Sequence, residues 1–349
     1  MNAGNAGNAG NAGLPREAEA TAVAHPNVAL SKYWGKRPGD GNFPAVPSLS
    51  VTLAGLATRT RVRWTSAATG DRVVLNGREL QGGEAARALA LIARVRAASG
   101  LSAWADVETT NDFPTASGLA SSASGFAALA VAATAGHPGP GEWDAARISD
   151  LARRASASAA RSLFGGFVEL DAGPPTPRPD DVLAARPVAR ADHLPLVVLV
   201  CVTTEAPKER SSTEGMQATL ARSPFAEAWL AEAPRVHAQL RAALLARDFE
   251  RVGQLSEASA LAMHASAIAA GVVYWSGATL DAIRAVRALR DAGVAAYFTI
   301  DAGPHVKVLV LAPDAPRARA ALAATPGVLR VIEATPGEGA RLVAPEGAR

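Results

Sequence analysis

The sequence predicts an α+β protein built from two domains, and three observations support this fold class. The chain has 349 residues, of which 49% are hydrophobic and 19% charged, so it can bury the cores of two ordinary domains. Segments with the periodicity of strands and of helices are mixed in both halves of the chain, which is typical of α+β proteins. Residues 173–187 are rich in Pro and Asp and predict the domain boundary.

The N-terminal half begins with a repeat that has little to bury. Residues 2–13 read Asn-Ala-Gly four times, and such a stretch predicts a disordered tail, which we expect to span residues 1–19. Apolar and alternating runs then predict strands over 22–30, 50–64, 71–76, 103–110 and 165–170. Helical patterns cover 83–98 and 142–161, with an Ala-rich segment at 114–135.

The C-terminal half alternates more regularly between the two kinds of element. Strands are predicted over 194–203, 294–300, 305–312 and 327–333. Helices are predicted over 214–232, 234–246, 248–269, 278–291 and 314–324. The two domains are therefore expected to span residues 20–188 and 189–349.

Charge and cysteine content narrow the class of protein. The 35 basic and 32 acidic residues give a net charge of +3 without a basic block, so no nucleic-acid partner is expected. A single cysteine, Cys201, provides neither an intrachain disulfide nor a Cys-based zinc site. The longest apolar run is too short for a bilayer, and no secretory signal is visible. We therefore predict a cytoplasmic protein with no membrane partner.

A loop of small residues carries the strongest chemical signal. It reads Pro114-Thr-Ala-Ser-Gly118-Leu-Ala-Ser121-Ser122-Ala123 and leads into the Ala-rich segment. Small residues let backbone N–H groups approach an anion, and the N-terminus of a following helix adds unpaired N–H groups and a positive dipole end. The loop predicts a phosphate site, although it is not a Walker A sequence. A Gly/Ser loop before a packing helix is the alternative that these residues leave open.

This loop and several other segments resemble the motifs of one family. The loop resembles the PxxxGLxSSA motif of the GHMP kinases, and the wider segment from Asn111 resembles NNFPTAAGLASSA of the diphosphomevalonate decarboxylases. Further segments resemble motifs of that family in the same order along the chain: Lys32–Arg37 (KYWGKR), Ser156–Gly166 (GSGSACRSLFGG), Ser211–Gln217 (SSTEGMQ in this chain) and Ile300–Pro304 (FDAGPN). The resemblance runs from about residue 22 to about residue 310.

The resemblance implies a fold and an activity. The fold is the two-domain GHMP kinase fold, with a ribosomal S5-like N-terminal domain, a ferredoxin-like α/β C-terminal domain and an active site in the cleft between them. The activity is the decarboxylation of mevalonate 5-diphosphate to isopentenyl diphosphate, using ATP and Mg²⁺ and proceeding through phosphorylation of the C3 hydroxyl. A homodimer is also implied. A phosphomevalonate decarboxylase, a mevalonate 3-kinase of the same fold and a non-catalytic small-molecule-binding protein are the alternatives.

The resemblance also assigns roles to residues. The expected catalytic residues are Asp301 at the reacting hydroxyl, Lys32 at the transferring phosphoryl group, Arg161 at the substrate carboxylate and Ser122 at ATP and its Mg²⁺. The expected substrate-binding residues are Tyr33, Lys36, Ser156, Ser158, Arg161, Ser211 and Ser212. The expected nucleotide-binding residues are Pro114, Ser117, Gly118, Leu119, Ala120, Ser121 and Ser122. Without the resemblance, the lysines also suit a solvated face, Arg161 the surface of a helix and Asp301 a turn cap.

Four of the departures from the family motifs bear on the substrate site. Ala155 and Ala157 stand where the family has glycines, so any requirement for positive φ would be strained there. Val46 replaces an amide and His305 an asparagine, which leaves open whether the substrate carries one phosphate or two. We expect Trp34 and Trp275 to pack in the core.

Overall fold

The computed structural model describes residues 17–113, 121–137, 142–206 and 209–344. The strands in these ranges are β1 (Glu17–Ala24), β2 (Asn27–Ser31), β3 (Ser48–Thr52), β4 (Thr58–Thr65), β5 (Arg72–Leu75), β6 (Arg78–Glu79), β7 (Trp104–Asn111), β8 (Phe167–Leu170), β9 (Arg186–Ala189), β10 (Leu196–Val202), β11 (Tyr297–Ile300), β12 (Val306–Leu311), β13 (Arg330–Ala334) and β14 (Arg341–Val343). The helices are α1 (Ala86–Ala98), α2 (Ser121–Ala135), α3 (Ala145–Ala155), α4 (Ala159–Ser162), α5 (Ser212–Arg222), α6 (Ala226–Leu245), α7 (Phe249–Ala269), α8 (Gly277–Asp291) and α9 (Ala315–Ala323). The mixture confirms the predicted α+β class.

The described strands form three sheets. Their orders are β14-β1-β4-β7-β5-β6, β2-β3-β8-β9 and β11-β12-β10-β13. Neighbouring strands are antiparallel except β5 and β7, which are parallel. Strand β14 pairs with β1, with Thr21 opposite Val343, so the end of the described chain returns to the first sheet.

Small and large apolar side chains divide the core into layers. Helix α2 buries Ala127, Ala128, Ala132 and Ala133 completely, because alanine lets a helix pack closely on every side. A second cluster joins β2, β3 and β8 to α6 and α7 through residues that include Leu30, Val51, Phe167, Leu240 and Val252. The strands of the N-terminal half are therefore fixed against helices of the C-terminal half.

Two of the predicted strands are each two strands. The predicted strand over 22–30 breaks into β1 and β2 around His25 and Pro26, because proline offers no N–H to a sheet. The predicted strand over 50–64 is likewise β3 and β4. The predicted helix over 142–161 is interrupted between α3 and α4.

The predicted helix break before Pro234 is wrong. Helix α6 continues through Pro234, and the break lies instead at Ser223–Phe225, between α5 and α6. Pro224 disfavours the helical conformation for the residue before it, whereas α6 buries Trp229, Val236 and Leu240 on one face, so packing holds it across the missing hydrogen bond.

The predicted disordered tail, residues 1–19, extends too far, because its last three residues form part of a strand. Residues 17–19 belong to β1 and pair with β4, with Glu19 opposite Arg63, whereas residues 1–16 lie outside the described ranges. The domain limits at 188 and 189 stay a prediction. Strand β9 (Arg186–Ala189) crosses that position.

Candidate active site

One pocket of about 150 Å³ brings together most of the expected catalytic and substrate-binding side chains. Those lining it are Lys32, Tyr33, Ser122, Ser158, Arg161, Ser212 and Asp301. They come from the end of β2, the start of α2, the turn before α4, α4 itself, the start of α5 and the end of β11. Segments far apart in the sequence thus converge on one site.

Lys32 and Asp301 form a partly buried ion pair. Each directly follows a strand whose residues are all buried, so both side chains are carried inwards. Lys32 is 2% exposed, and its Nζ donates to Asp301 Oδ1 at 2.6 Å and to the Ala29 carbonyl oxygen at 2.8 Å. The Lys32 backbone N–H donates to Ser259 Oγ at 2.9 Å. These contacts compensate for the loss of water around the ammonium.

Asp301 has a second cationic partner that the sequence analysis missed. Lys307, on β12, is 1% exposed, and its Nζ lies 3.2 Å from Asp301 Oδ2. Burial alone raises the pKa of Asp301, but the charges and hydrogen bonds of Lys32 and Lys307 outweigh it, so the pKa lies below its ordinary value. Burial lowers the pKa of Lys32 to about 8, against the opposing effect of Asp301.

Arg161 is a buried cation held by neutral groups. It is 2% exposed and donates to Ser50 Oγ at 2.9 Å, Ser48 Oγ at 2.7 Å and Asn27 Oδ1 at 3.3 Å. No carboxylate of the described residues lies within 4.0 Å of its guanidinium. Burial lowers the pKa of Arg161 to about 10, so the group is charged at neutral pH and can bind an external carboxylate.

Tyr33 and the serine pair add polar groups to the same pocket. The Tyr33 hydroxyl is buried and has no hydrogen-bond partner in the described part of the chain. Burial raises its pKa, so the phenol stays protonated and can donate to an anion. Ser158 lines the pocket, whereas Ser156 does not; the Oγ atoms of the two serines lie 3.2 Å apart.

Lys36 and Ser211 do not line this pocket. Lys36 Nζ donates to Asn42 Oδ1 at 2.7 Å and to Thr213 Oγ1 at 3.1 Å. Ser211 is the N-cap of α5, where its Oγ accepts from the N–H of Glu214 in a capping box. Ser212, the next residue, does line the pocket.

The four departures from the family motifs lie where they cause no visible strain. Val46 is fully buried and packs with Trp34, Met216 and Trp229, so its methyl groups fill the core. Ala155 and Ala157 are buried, and neither belongs to the described non-glycine residues with positive φ. His305 is buried, and its Nδ1 accepts from the backbone N–H of Thr203 at 3.2 Å.

The expected core packing holds for Trp34, which is 1% exposed, and Trp275 packs partly buried against the core around β10–β12.

A second, mainly apolar pocket of about 200 Å³ lies beside the start of α2. Ser121 and Ser122 stand at one end, and Val73, Leu80 and Phe126 line its sides. Arg87 lies over the Phe126 ring at 4.9 Å from its centroid. The expected nucleotide-binding residues Pro114, Ser117, Gly118, Leu119 and Ala120 lie outside the described residues.

Besides Lys307, sequence reasoning missed three polar residues that hold Arg161. Asn27 also donates to Ser162 Oγ at 2.7 Å. Ser48 and Ser50 alternate with buried Leu49 and Val51 in β3, and this period of two places both serines on one face of the sheet. Lys307 could have been found as the single charged residue within the apolar run Val306–Leu311.

Comparison with known proteins identifies the family. Residues 24–180 match the family model of the diphosphomevalonate decarboxylase-like N-terminal domain, and residues 198–332 match that of the mevalonate 5-diphosphate decarboxylase C-terminal domain. The diphosphomevalonate decarboxylase of Homo sapiens is 36% identical over 318 residues, covering 84% of this chain and 77% of the human protein. The chain belongs to the diphosphomevalonate decarboxylase family. The resemblance stated from the motifs is thereby confirmed.

Some relatives are named for a substrate with two phosphate groups and others for a substrate with one. The phosphomevalonate decarboxylase of Haloferax volcanii is 35% identical over 298 residues, covering 83% of this chain and 87% of that protein. A solved structure of MDDEF in complex with MVAPP, AMPPCP and magnesium superimposes with a TM-score of 0.85 at 34% identity, covering 94% of this chain and 100% of the other. The two-domain GHMP kinase fold implied by the motifs is confirmed by this likeness.

Proposed function

We propose that this chain catalyses the ATP-dependent decarboxylation of mevalonate 5-diphosphate to isopentenyl diphosphate, releasing CO₂, ADP and phosphate. The observation that supports it most is the convergence of Lys32, Arg161 and Asp301 in one buried pocket. A decarboxylase of this type must hold a carboxylate without protonating it and must offer charge to a phosphoryl group. The three side chains supply both functions, and the named relatives perform this type of reaction.

In the proposed reaction Asp301, Lys32 and Arg161 each act on a different reacting group. Asp301 orients the C3 hydroxyl and can accept its proton; since phosphoryl transfer needs little help from a base, orientation is its larger role. Lys32 neutralises charge on the transferring and then the departing phosphate. When the C3–O bond breaks, the electron pair of the C–COO⁻ bond forms the alkene and CO₂ leaves. Arg161 holds that carboxylate ionised until the bond breaks.

The described residues at the start of α2 suit a nucleotide. An apolar pocket large enough to take part of a planar ring ends at Ser121 and Ser122, and a helix N-terminus favours phosphate. We propose that this pocket holds ATP, with Ser122 near its Mg²⁺. When bound, Mg·ATP supplies the phosphoryl group that turns the C3 hydroxyl into a leaving group. The complex of a relative with MVAPP, AMPPCP and magnesium supports binding of a nucleotide and magnesium by this chain.

Phosphomevalonate decarboxylation is the second candidate function. It is favoured by the Haloferax volcanii relative and by Lys36, whose ammonium is bound to Asn42 and Thr213 instead of lining the pocket. A monophosphate would need fewer cationic partners than a diphosphate. The homodimer implied by the resemblance and the cytoplasmic location predicted from the sequence stay predictions. No helix within the described ranges is both long and apolar enough to cross a membrane.

The proposal is tested by following ADP and CO₂ together, with Mg·ATP and either mevalonate, its 5-phosphate or its 5-diphosphate. Equal amounts of ADP and CO₂ with the diphosphate alone would support the main proposal. The same coupling with the monophosphate would establish the second candidate. ADP without CO₂ would identify a kinase, and neither product from any substrate would overturn the enzymatic function. The Asp301→Asn variant serves as the low-activity control.

A further inference from the structure

Lys307 contacts Asp301 but does not itself line the reacting pocket. It lies on β12 within the apolar run Val306–Leu311, 1% exposed, with its Nζ 3.2 Å from Asp301 Oδ2. Each carboxylate oxygen of Asp301 is therefore bound by a different ammonium, because Oδ1 accepts from Lys32. Burying a lysine ammonium costs free energy unless the charge is paired, so the burial of Lys307 beside Asp301 requires a physical reason.

We propose that Lys307 is a positioning residue that fixes the Asp301 carboxylate and leaves the Lys32 ammonium with positive charge for the transferring phosphoryl group. This inference rests on the proposed function. Without Lys307, Lys32 and Asp301 would form a neutral pair, and an approaching phosphate would meet little net charge from these two side chains. With Lys307 the three side chains carry a net charge of +1 in a buried setting, where charge acts strongly.

The arrangement also restricts how Asp301 can move. Two ammonium groups on opposite carboxylate oxygens oppose rotation of the group about its Cβ–Cγ bond. Lys32 is itself fixed by the Ala29 carbonyl oxygen. One lone pair on each Asp301 oxygen remains for the substrate hydroxyl, and the Asp301 side chain, which is 27% exposed, lines the pocket.

The charged and titratable groups that face Asp301 determine the expected pH dependence of the activity. They are Lys32 after β2, Lys307 on β12, Arg161 on α4 and His264 on α7. Burial lowers the pKa of His264 to about 3, so it stays neutral. Removing the charge of Lys307 raises the pKa of Asp301, by about 1–3 pH units for a close opposite charge, and raises that of Lys32, which loses a like charge.

The test is the full-length Lys307→Met variant, compared with the wild-type chain in kcat and kcat/KM from pH 5 to pH 10. We expect kcat to fall about 10- to 100-fold, as for outer partners of functional groups, with KM for ATP changed little. The alkaline limb of the kcat/KM profile should move to higher pH, because Lys32 would be relieved of a like charge and would lose its proton at a higher pH. Lys307→Gln keeps a hydrogen-bond donor without the charge and should show the same shift.

Two comparisons distinguish a positioning role of Lys307 from a general loss of stability and from a failure of the proposed reaction. Val308→Ala disturbs the buried core at the neighbouring position of β12, and should lower stability while leaving the alkaline limb of the profile in place. If Lys307→Met and Lys307→Gln retain wild-type kcat and the wild-type alkaline limb, or if kcat falls with no movement of that limb, the positioning role is wrong. If the wild-type chain itself releases neither ADP nor CO₂, the proposed function fails instead.

Discussion

The side chains of the reacting pocket have an unbalanced charge. Lys32, Lys307 and Arg161 are cationic and buried, and Asp301 is the one acidic residue among the described residues that line the pocket. Uncompensated positive charge in a buried site favours binding of an anion. A substrate with a carboxylate and phosphate groups would supply the missing negative charge, and this complementarity explains why Arg161 is held only by neutral acceptors.

At the residue scale we first expect Asp301→Asn to lower kcat far more than it weakens ATP binding. The amide keeps the size of the side chain but loses the charge that orients the hydroxyl and pairs with both lysines. We expect kcat to fall by at least about 100-fold, as for loss of one preorganised electrostatic group, with the Kd for ATP within about threefold. Asp281→Asn, which alters an exposed i,i+3 pair with Arg284 on α8, is the matched control. Equal losses in kcat and ATP affinity would count against the proposed role.

Lys32 gives a second expectation at this scale, a loss of activity at alkaline pH. Burial lowers the pKa of Lys32 to about 8, so the ammonium is present below that pH and is lost as the pH rises through it. The limb should appear near pH 8 in kcat/KM, which reports the free enzyme. In kcat it should lie at higher pH, because a bound anion stabilises the charged form. A kcat/KM profile that stays flat up to pH 10 would show that the Lys32 ammonium is not required.

The site was predictable from sequence only where a residue belongs to a motif. The motifs point to Lys32, Arg161 and Asp301, and the structure brings these three together. Lys307 and Ser50 were missed because their roles depend on which strands become neighbours: β12 pairs with β11, and Arg161 reaches Ser50 across the packing of α4 on β3. Such tertiary contacts leave only weak patterns in the local sequence.

At the element scale, local signals located most helices and strands but misplaced their ends. A break was predicted inside α6 because proline has a low helix propensity. The helix nevertheless continues through Pro234, because its buried face packs against the core. Strand β14 was not predicted, because Arg341–Val343 is short and two of its three residues are exposed; pairing with β1 alone defines it. Propensity therefore identified elements that have a long buried face and missed those that depend on a partner.

The start of α5 provides a paired expectation at this scale. Ser211→Ala removes the N-cap oxygen that accepts from Glu214, and should lower the free energy of unfolding by about 0.5–2 kcal/mol with little change in KM. Ser212→Ala removes a hydroxyl that lines the pocket, and should raise the substrate KM by about tenfold with little change in stability. Urea unfolding and steady-state kinetics on both variants measure the two effects. A rise in KM for Ser211→Ala at unchanged stability would instead support the predicted substrate-binding role of Ser211.

At the scale of the whole molecule, the segment 336–340, which leads into β14, forms hydrogen bonds with β3 and with the residues that follow α4. The Gly337 N–H donates to the Thr52 carbonyl oxygen at 2.8 Å, and the Gly337 carbonyl oxygen accepts from Gly166 N–H at 2.8 Å. The Ala340 N–H donates to the Leu163 carbonyl oxygen at 3.1 Å. Residues 163–166 directly follow α4, which carries Arg161, so a shift of this late segment is expected to reach Arg161.

We therefore expect Gly339→Ala to reduce both stability and activity, although Gly339 is remote from the reacting pocket in sequence. A Cβ at this position would lie 2.8 Å from the Gly165 backbone nitrogen and would also press on the Leu163 carbonyl oxygen, and backbone atoms cannot move aside as a flexible side chain can. Overpacking of this kind costs about 1–3 kcal/mol, and a shift of residues 163–166 should raise the substrate KM by displacing Arg161. Gly70→Ala, where a Cβ would meet open space, is the control. If Gly339→Ala loses stability in urea but keeps wild-type KM, the C-terminal segment stabilises the fold without positioning Arg161.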